Sequence, residues 1–265
     1  VGDRVDIKVT DNAATRTLTS KVINSNYHFK YFDLQSMKLL DAWAGTTAYV
    51  EGDLVHVANR VYVAASTGTS GASSPTHTTG TAGDGVLDWT YLRVRTDGNL
   101  FQDGWSSITG GSGYTNGTYI NVPITTNGDG LLGKATIVVG SGAVQAVTIT
   151  EFGYGYDIGD TISADDINIG NGGGSGFTIT LTQVQREVQC HVSGINSHQL
   201  SAGDIVNISG VSPTSYNKTN YVVVRSETAR KFTVKRNFAA TSAANVTTGN
   251  SGNPADIYVK EPNLS

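Results

Sequence analysis

Apolar and polar residues alternate with a period of two along most of this chain, in short runs separated by Gly, Asn and Asp. Val5, Ile7 and Val9 face one way and Asp6 and Lys8 the other, which predicts a half-buried strand. Asp11 to Ala14 then reads as a turn and Thr15 to Ile23 as the return strand. Leu54–Val57 and Arg60–Val63 form a predicted hairpin across Ala58-Asn59. Lys134–Val139 and Ala143–Thr150 form another across Gly140-Ser141-Gly142. Apolar and threonine positions alternate from Phe177 to Leu181. Tyr221–Arg225, Lys231–Lys235 and Asp256–Lys260 are further strands. The one helix candidate is Tyr27–Leu40, whose aromatics would equally line a strand. Ser66–Pro75 and Ala239–Pro254 read as loops and Arg93–Trp105 as a connector. The pattern predicts an all-β chain of several small antiparallel modules in tandem, barrels or sandwiches, with little or no helix.

Two local patterns recur. A Gly-Asp pair precedes a β-branched or apolar strand at Gly2, Gly52, Gly159 and Gly203. Glycine supplies positive φ there and aspartate can cap the turn. Gly111-Ser112-Gly113-Tyr114 is echoed by Gly153-Tyr154-Gly155-Tyr156. The spacings are irregular, so the chain reads as an array of different modules and not as a solenoid. The order of motifs and strands suggests segments at 1–41, 42–95, 96–184 and 185–265, the last a small barrel-like domain.

Composition sharpens this picture. Only 15% of residues are charged, while 32 of the 265 are glycine, nearly twice the usual share. No apolar run is long enough to span a membrane as a helix. The net charge of −4 gives no electrostatic case for nucleic acid. The basic cluster Arg230, Lys231, Lys235 and Arg236 reads as a solvated strand edge. Cys190 is the single cysteine, which excludes an internal disulfide. The chain begins at Val1 without a signal-peptide pattern, as expected of a fragment or a processed product.

Candidate chemistry is sparse. Asp84 and Asp88, in an extended segment at ~3.3 Å per residue, would stand about 13 Å apart, beyond the roughly 5–9.5 Å of glycoside hydrolysis. Asp165 and Asp166 are adjacent, so both pairs read as turn caps. No Gly-x-Ser-x-Gly elbow is present. Cys190, His191 and His198 fit no zinc spacing, and Asn127-Gly128-Asp129-Gly130 lacks the remaining ligands of a calcium loop. Gly172–Gly176 has no following Lys-Ser/Thr to make a phosphate cradle. No enzyme activity, metal or cofactor is expected. The positive case rests on aromatic rings, whose faces can stack on the apolar C–H faces of sugars: Trp43, Tyr49, Tyr62, Trp89 and Tyr91. The competing assignment makes the same rings the core of a module too small to have another.

The order Trp43, Tyr49, Gly52-Asp53-Leu54-Val55, Tyr62-Val63-Ala64, a Gly/Ser/Thr loop and Trp89 resembles the small chitin-binding-type carbohydrate modules, more closely those of phage tail proteins. No Trp-Trp or Trp-Thr pair follows Ala64, and such a pair often forms the sugar platform. The paired Gly-x-Gly-Tyr elements and the stretch from His198 to Val211 resemble elements of structural proteins of tailed phages, especially those infecting cyanobacteria. The resemblance implies a virion protein of a tail fibre, baseplate or neck attachment, extracellular when mature. Its partners would be other tail proteins, further copies of itself with a trimer favoured, and a host-surface glycan. The alternative is a secreted bacterial carbohydrate-binding protein, or the accessory module of a glycan-degrading enzyme.

Overall fold

The computed structural model describes all residues except 1–3, 6–7, 12–13, 18–20, 23–26, 85, 194–197, 212–213, 240–245, 248–254 and 263–265. The expected Gly2-Asp3 turn and most of the expected loop at 239–254 lie outside the described residues. The chain is nearly all β. Among the described residues the helical content is two 3-10 turns of three residues, Asp166–Asn168 and Thr214–Tyr216. Tyr27–Leu39 is a single strand, so the helix candidate resolves as β. The strands make several separate sheets.

The chain parts into two compact units. One comprises residues 1–36, 190–232 and 247–265; the other comprises 37–189 and 233–246. In the first, Ile205–Ser209 pairs antiparallel with Lys218–Thr228 on one side and with Ala255–Pro262 on the other. Ala255–Pro262 pairs in turn with residues 27–34. The N-terminal segment is thus tied to the C-terminal one by strand pairing that no local pattern announces. Val206, Ile208, Tyr216, Tyr221, Val223 and Phe232 are buried in this unit.

The larger unit holds two modules. In the first, Thr81–Gly83, Asp88–Val94, Arg60–Ala64, Leu54–Val57 and Asp41–Ala42 form a five-stranded sheet in that order, with the last pair parallel. The hairpin across Ala58-Asn59 forms as expected, and Ala58 takes the positive φ (48°) that so tight a loop demands. In the second module, Gly117–Pro123, Leu131–Gly140 and Ala143–Tyr154 make a three-stranded sheet. Ser141 and Gly142, both at positive φ, close its central hairpin. A four-stranded sheet faces the same core, in the order Thr109–Ser112, Ser175–Thr180, Thr161–Ser163 and Thr125–Thr126. That core gathers Val122, Ala135, Ile137, Val147, Ile162, Phe177 and Ile179, the inward half of each alternating strand.

Both sequence repeats are structural repeats. In Val50–Asp53, Asp157–Asp160 and Ser201–Asp204 the aspartate N–H donates to the carbonyl of the first residue. The first residue's N–H donates back to the aspartate carboxylate. The glycine N–H and the aspartate carbonyl then bond one residue of a neighbouring segment: Ala64, Leu181 and Val223 respectively. All twelve bonds fall between 2.7 and 3.1 Å. The central glycines sit at φ of 87°, 93° and 98°, which a side chain would resist. In the second repeat, Tyr114 and Tyr156 are buried, and their hydroxyls accept the Phe177 and Gly133 amides at 3.1 and 3.2 Å. Each ring lies against a glycine, Gly174 for Tyr114 and Gly130 for Tyr156, where a Cβ would collide with it.

The stapled turns predict the effect of adding one methyl group. A Cβ at Gly159 or Gly203 would meet nothing within 4 Å, so Gly159→Ala and Gly203→Ala test the backbone alone. Each should destabilise its unit by about 1–2 kcal/mol, the cost of left-handed backbone in an L-residue, read from urea unfolding curves. Unchanged midpoints would show that these turns do not hold their strands.

Candidate functional site

The five candidate rings do come together, in the first module of the larger unit. Trp89 and Tyr62 are fully buried, with Val55, Ala64 and Leu87 around them. Trp43, Tyr49 and Tyr91 are half-buried and pack on that cluster. Tyr49 meets Trp89 edge-on at 5.0 Å, and Tyr91 meets Tyr62 edge-on at 5.9 Å. The polar handles of Trp89, Tyr62 and Tyr49 are satisfied internally, whereas the buried Trp43 Nε1 has no hydrogen-bond partner. The Trp89 indole donates to Asp84 Oδ2 at 2.9 Å, and the Tyr62 hydroxyl donates to the His77 carbonyl at 2.8 Å. The Tyr49 hydroxyl accepts the Ala44 amide at 2.9 Å. Trp89 and Tyr62 are therefore corrected from stacking candidates to core residues, because a ring sealed on both faces cannot receive a sugar. Trp43, Tyr49 and Tyr91 are the members with surface remaining. Burial raises the Tyr49 and Tyr62 hydroxyls above the ordinary tyrosine range.

One member of each acidic pair, Asp84 and Asp166, serves a turn, while Asp165 makes no side-chain capping bond. The segment from Asp84 to Asp88 is not extended as the spacing estimate assumed. Ala82 pairs with Trp89 and Gly83 with Asp88, so it folds back as a hairpin. Asp84 Oδ1 accepts the Val86 and Leu87 amides. Although burial alone would raise it, the indole and amide donors hold Asp84 below the usual carboxylate range. Asp166 accepts the Gly173 and Gly174 amides, both at 3.0 Å, so the Gly-rich loop already cradles an anion of its own chain. Among the described residues no group of three or more His, Cys, Asp or Glu is placed to hold a metal. Cys190 is fully buried, which pushes its thiol well above its usual value. No known protein family and no curated protein matches the sequence.

The densest concentration of charge lies where sequence reading places only a connector. Arg95 and Asp97 have no exposed surface. Arg95 Nε donates to Asp97 Oδ1 at 2.7 Å, and its two terminal nitrogens grip both oxygens of Asp157 at 3.0 and 2.7 Å. Asp97 Oδ2 also accepts the Glu187 amide at 3.1 Å. Buried Glu187 accepts from Arg93 at 2.5 Å and from the Thr96 hydroxyl at 2.9 Å. Arg186 adds Asp41 at 3.0 Å and the Leu40 carbonyl at 2.6 Å. Lys235, expected on a solvated edge, is half-buried and donates to the Thr96 carbonyl and Asn99 Oδ1 at 2.7 and 2.9 Å. The two modules are thereby tied together.

The environment divides these groups. Burial works against the Arg95 charge, but Asp157 and Asp97 outweigh it and keep the guanidinium protonated. Burial raises Asp157 less than the Arg95 hydrogen bonds and charge lower it, so it stays below the ordinary range. Burial dominates at Asp97 and Asp41, which lie above it. His56 is 3% exposed, and Nε2 stands 3.7 Å from Asp157 Oδ1. Burial first, then the Arg95 charge, hold its imidazole at about 3. The signal that could have found this network is Arg93-x-Arg95-x-Asp97, since alternate residues of extended chain share a face.

Two substitutions separate the aromatic core from the ionic one. Trp89→Ala should cost about 3–5 kcal/mol as a large buried ring is removed, and should unfold the first module. Arg95→Ala should cost a similar ~3–5 kcal/mol, because it leaves the Asp97 carboxylate buried and unpaired. Thermal and urea denaturation check both. Loss of glycan binding at unchanged stability in Trp89→Ala would return that ring to a surface role.

Proposed function

We propose that this chain is a non-enzymatic structural protein of a tailed-phage virion, placed in a fibre, baseplate or neck attachment. It works by assembly, with further copies of itself and with other tail proteins. The observation that carries the reading is the use made of reactive side chains. Asp84, Asp166, Asp53, Asp160 and Asp204 staple turns, while Arg95, Asp97, Asp157 and Glu187 lock two modules together. Such an investment suits a rigid part. The sequence resemblance of residues 42–92 and of the Gly-x-Gly-Tyr elements supports the tail assignment. Association is further supported by edge strands such as Thr81–Gly83, which is exposed along its length and carries no charge. Host-glycan contact, as a second role, falls to Trp43, Tyr49 and Tyr91.

Imaging and mass spectrometry of purified particles test the reading. The chain should be found in the tail in several copies, in multiples of three for the favoured trimer. Its absence from purified particles, or a single monomeric copy per particle, would defeat the proposal. Release of reducing sugar from envelope polysaccharide by the purified protein, abolished by one Asp→Asn change, would replace it with an enzyme.

A further inference from the structure

His56 lies on the strand Leu54–Val57 of the first module and reaches the second. Its ring is 3% exposed, and neither nitrogen has a hydrogen-bond partner. Three charged groups face it from three different elements. Asp157 comes from the stapled turn before Thr161–Ser163, Arg95 from the segment after Asp88–Val94, and Arg186 from Gln183–Ser193. Both oxygens of Asp157, the one nearby anion of the three, are already gripped by Arg95.

An unsatisfied buried imidazole costs free energy, and here it sits at the seam of two modules. A proton on it would add a third cation beside two guanidinium groups, away from water. Such a charge is relieved only if the ring turns out to solvent or if Asp157 leaves Arg95. Either movement breaks the tie. We propose that His56 is an acid-sensitive latch, whose neutral ring lets the Arg95–Asp157 tie close over it and whose protonation opens the seam between the two modules.

The sign follows from linkage. The closed seam excludes the proton, while an opened or unfolded His56 accepts it near its ordinary value of about 6.5. Closure is therefore fully favoured above that pH and weakens as pH falls from there towards about 3, the closed-state value. Between pH 7.5 and 5 the opening equilibrium constant should rise about thirtyfold. Asp41 and Asp97, raised by burial, act in the opposite sense as they take up protons, so the comparison with His56→Gln is what isolates the ring.

Amide hydrogen exchange on the full chain, corrected for intrinsic rates, reads the opening directly. Protection at residues 95–98 and 155–158 should fall about thirtyfold from pH 7.5 to 5 in the parent. It should stay level in His56→Gln, and the strands Leu131–Gly140 and Ala143–Tyr154 should be unaffected in both. An equal fall in parent and variant, or a loss spread evenly over the unit, would overturn the latch. If His56→Gln does not fold, an NMR titration of the parent decides. A His56 ring that stays neutral down to pH 5 supports the proposal, and one that titrates near 6.5 in the closed protein sinks it.

Discussion

The larger unit depends on one buried cation. Arg95 is wholly enclosed, and taking a guanidinium and its carboxylates out of water costs several kcal/mol per ion unless the geometry repays it. Here the geometry is prepared by neighbours in sequence. Gly153–Tyr156 and Asp157–Asp160 are consecutive, and both supply the cage. The first offers the Gly155 and Tyr156 carbonyls at 3.5 and 3.4 Å, and the second offers the doubly bonded Asp157. Because the Asp157 amide is itself held by Asp160 at 2.9 Å, the carboxylate arrives on a backbone with little freedom left. The planar fork of arginine suits this, and lysine could not reproduce it. The aromatic cluster needs no such partner, since burying apolar rings is favourable on its own account.

Much of the fold was legible because its devices are local. A Gly-Asp pair makes the same set of bonds at Gly52, Gly159 and Gly203. Gly-x-Gly-Tyr twice ends in a buried tyrosine pressed on a glycine. The hairpins across Ala58-Asn59 and Ser141-Gly142 follow from alternation and turn chemistry. What escaped is long-range. The pairing of residues 27–34 with Ala255–Pro262 leaves no mark in either segment. Arg95 escaped because charged residues among Thr, Asp, Gly and Asn read as solvated connector, and the distant Asp157 is needed beside Asp97 to balance its burial. In the candidate site, the five rings picked out by their order between Ala42 and Leu92 lie in one cluster. That order could not say that Trp89 and Tyr62 lie beneath Trp43, Tyr49 and Tyr91, since depth depends on which face of the sheet is covered.

The order of strands in the smaller unit has a consequence for biosynthesis. Ala255–Pro262 lies between Ile205–Ser209 and residues 27–34, so an interior strand of this sheet is made after both of its neighbours. Until the ribosome has released it, the two flanking strands present bare edges with hydrogen-bonding groups unfilled. Such edges accept strands from other chains. A polypeptide cut short before residues 255–262 would leave both of those edges unpaired at the centre of the sheet, where a strand of another chain could add.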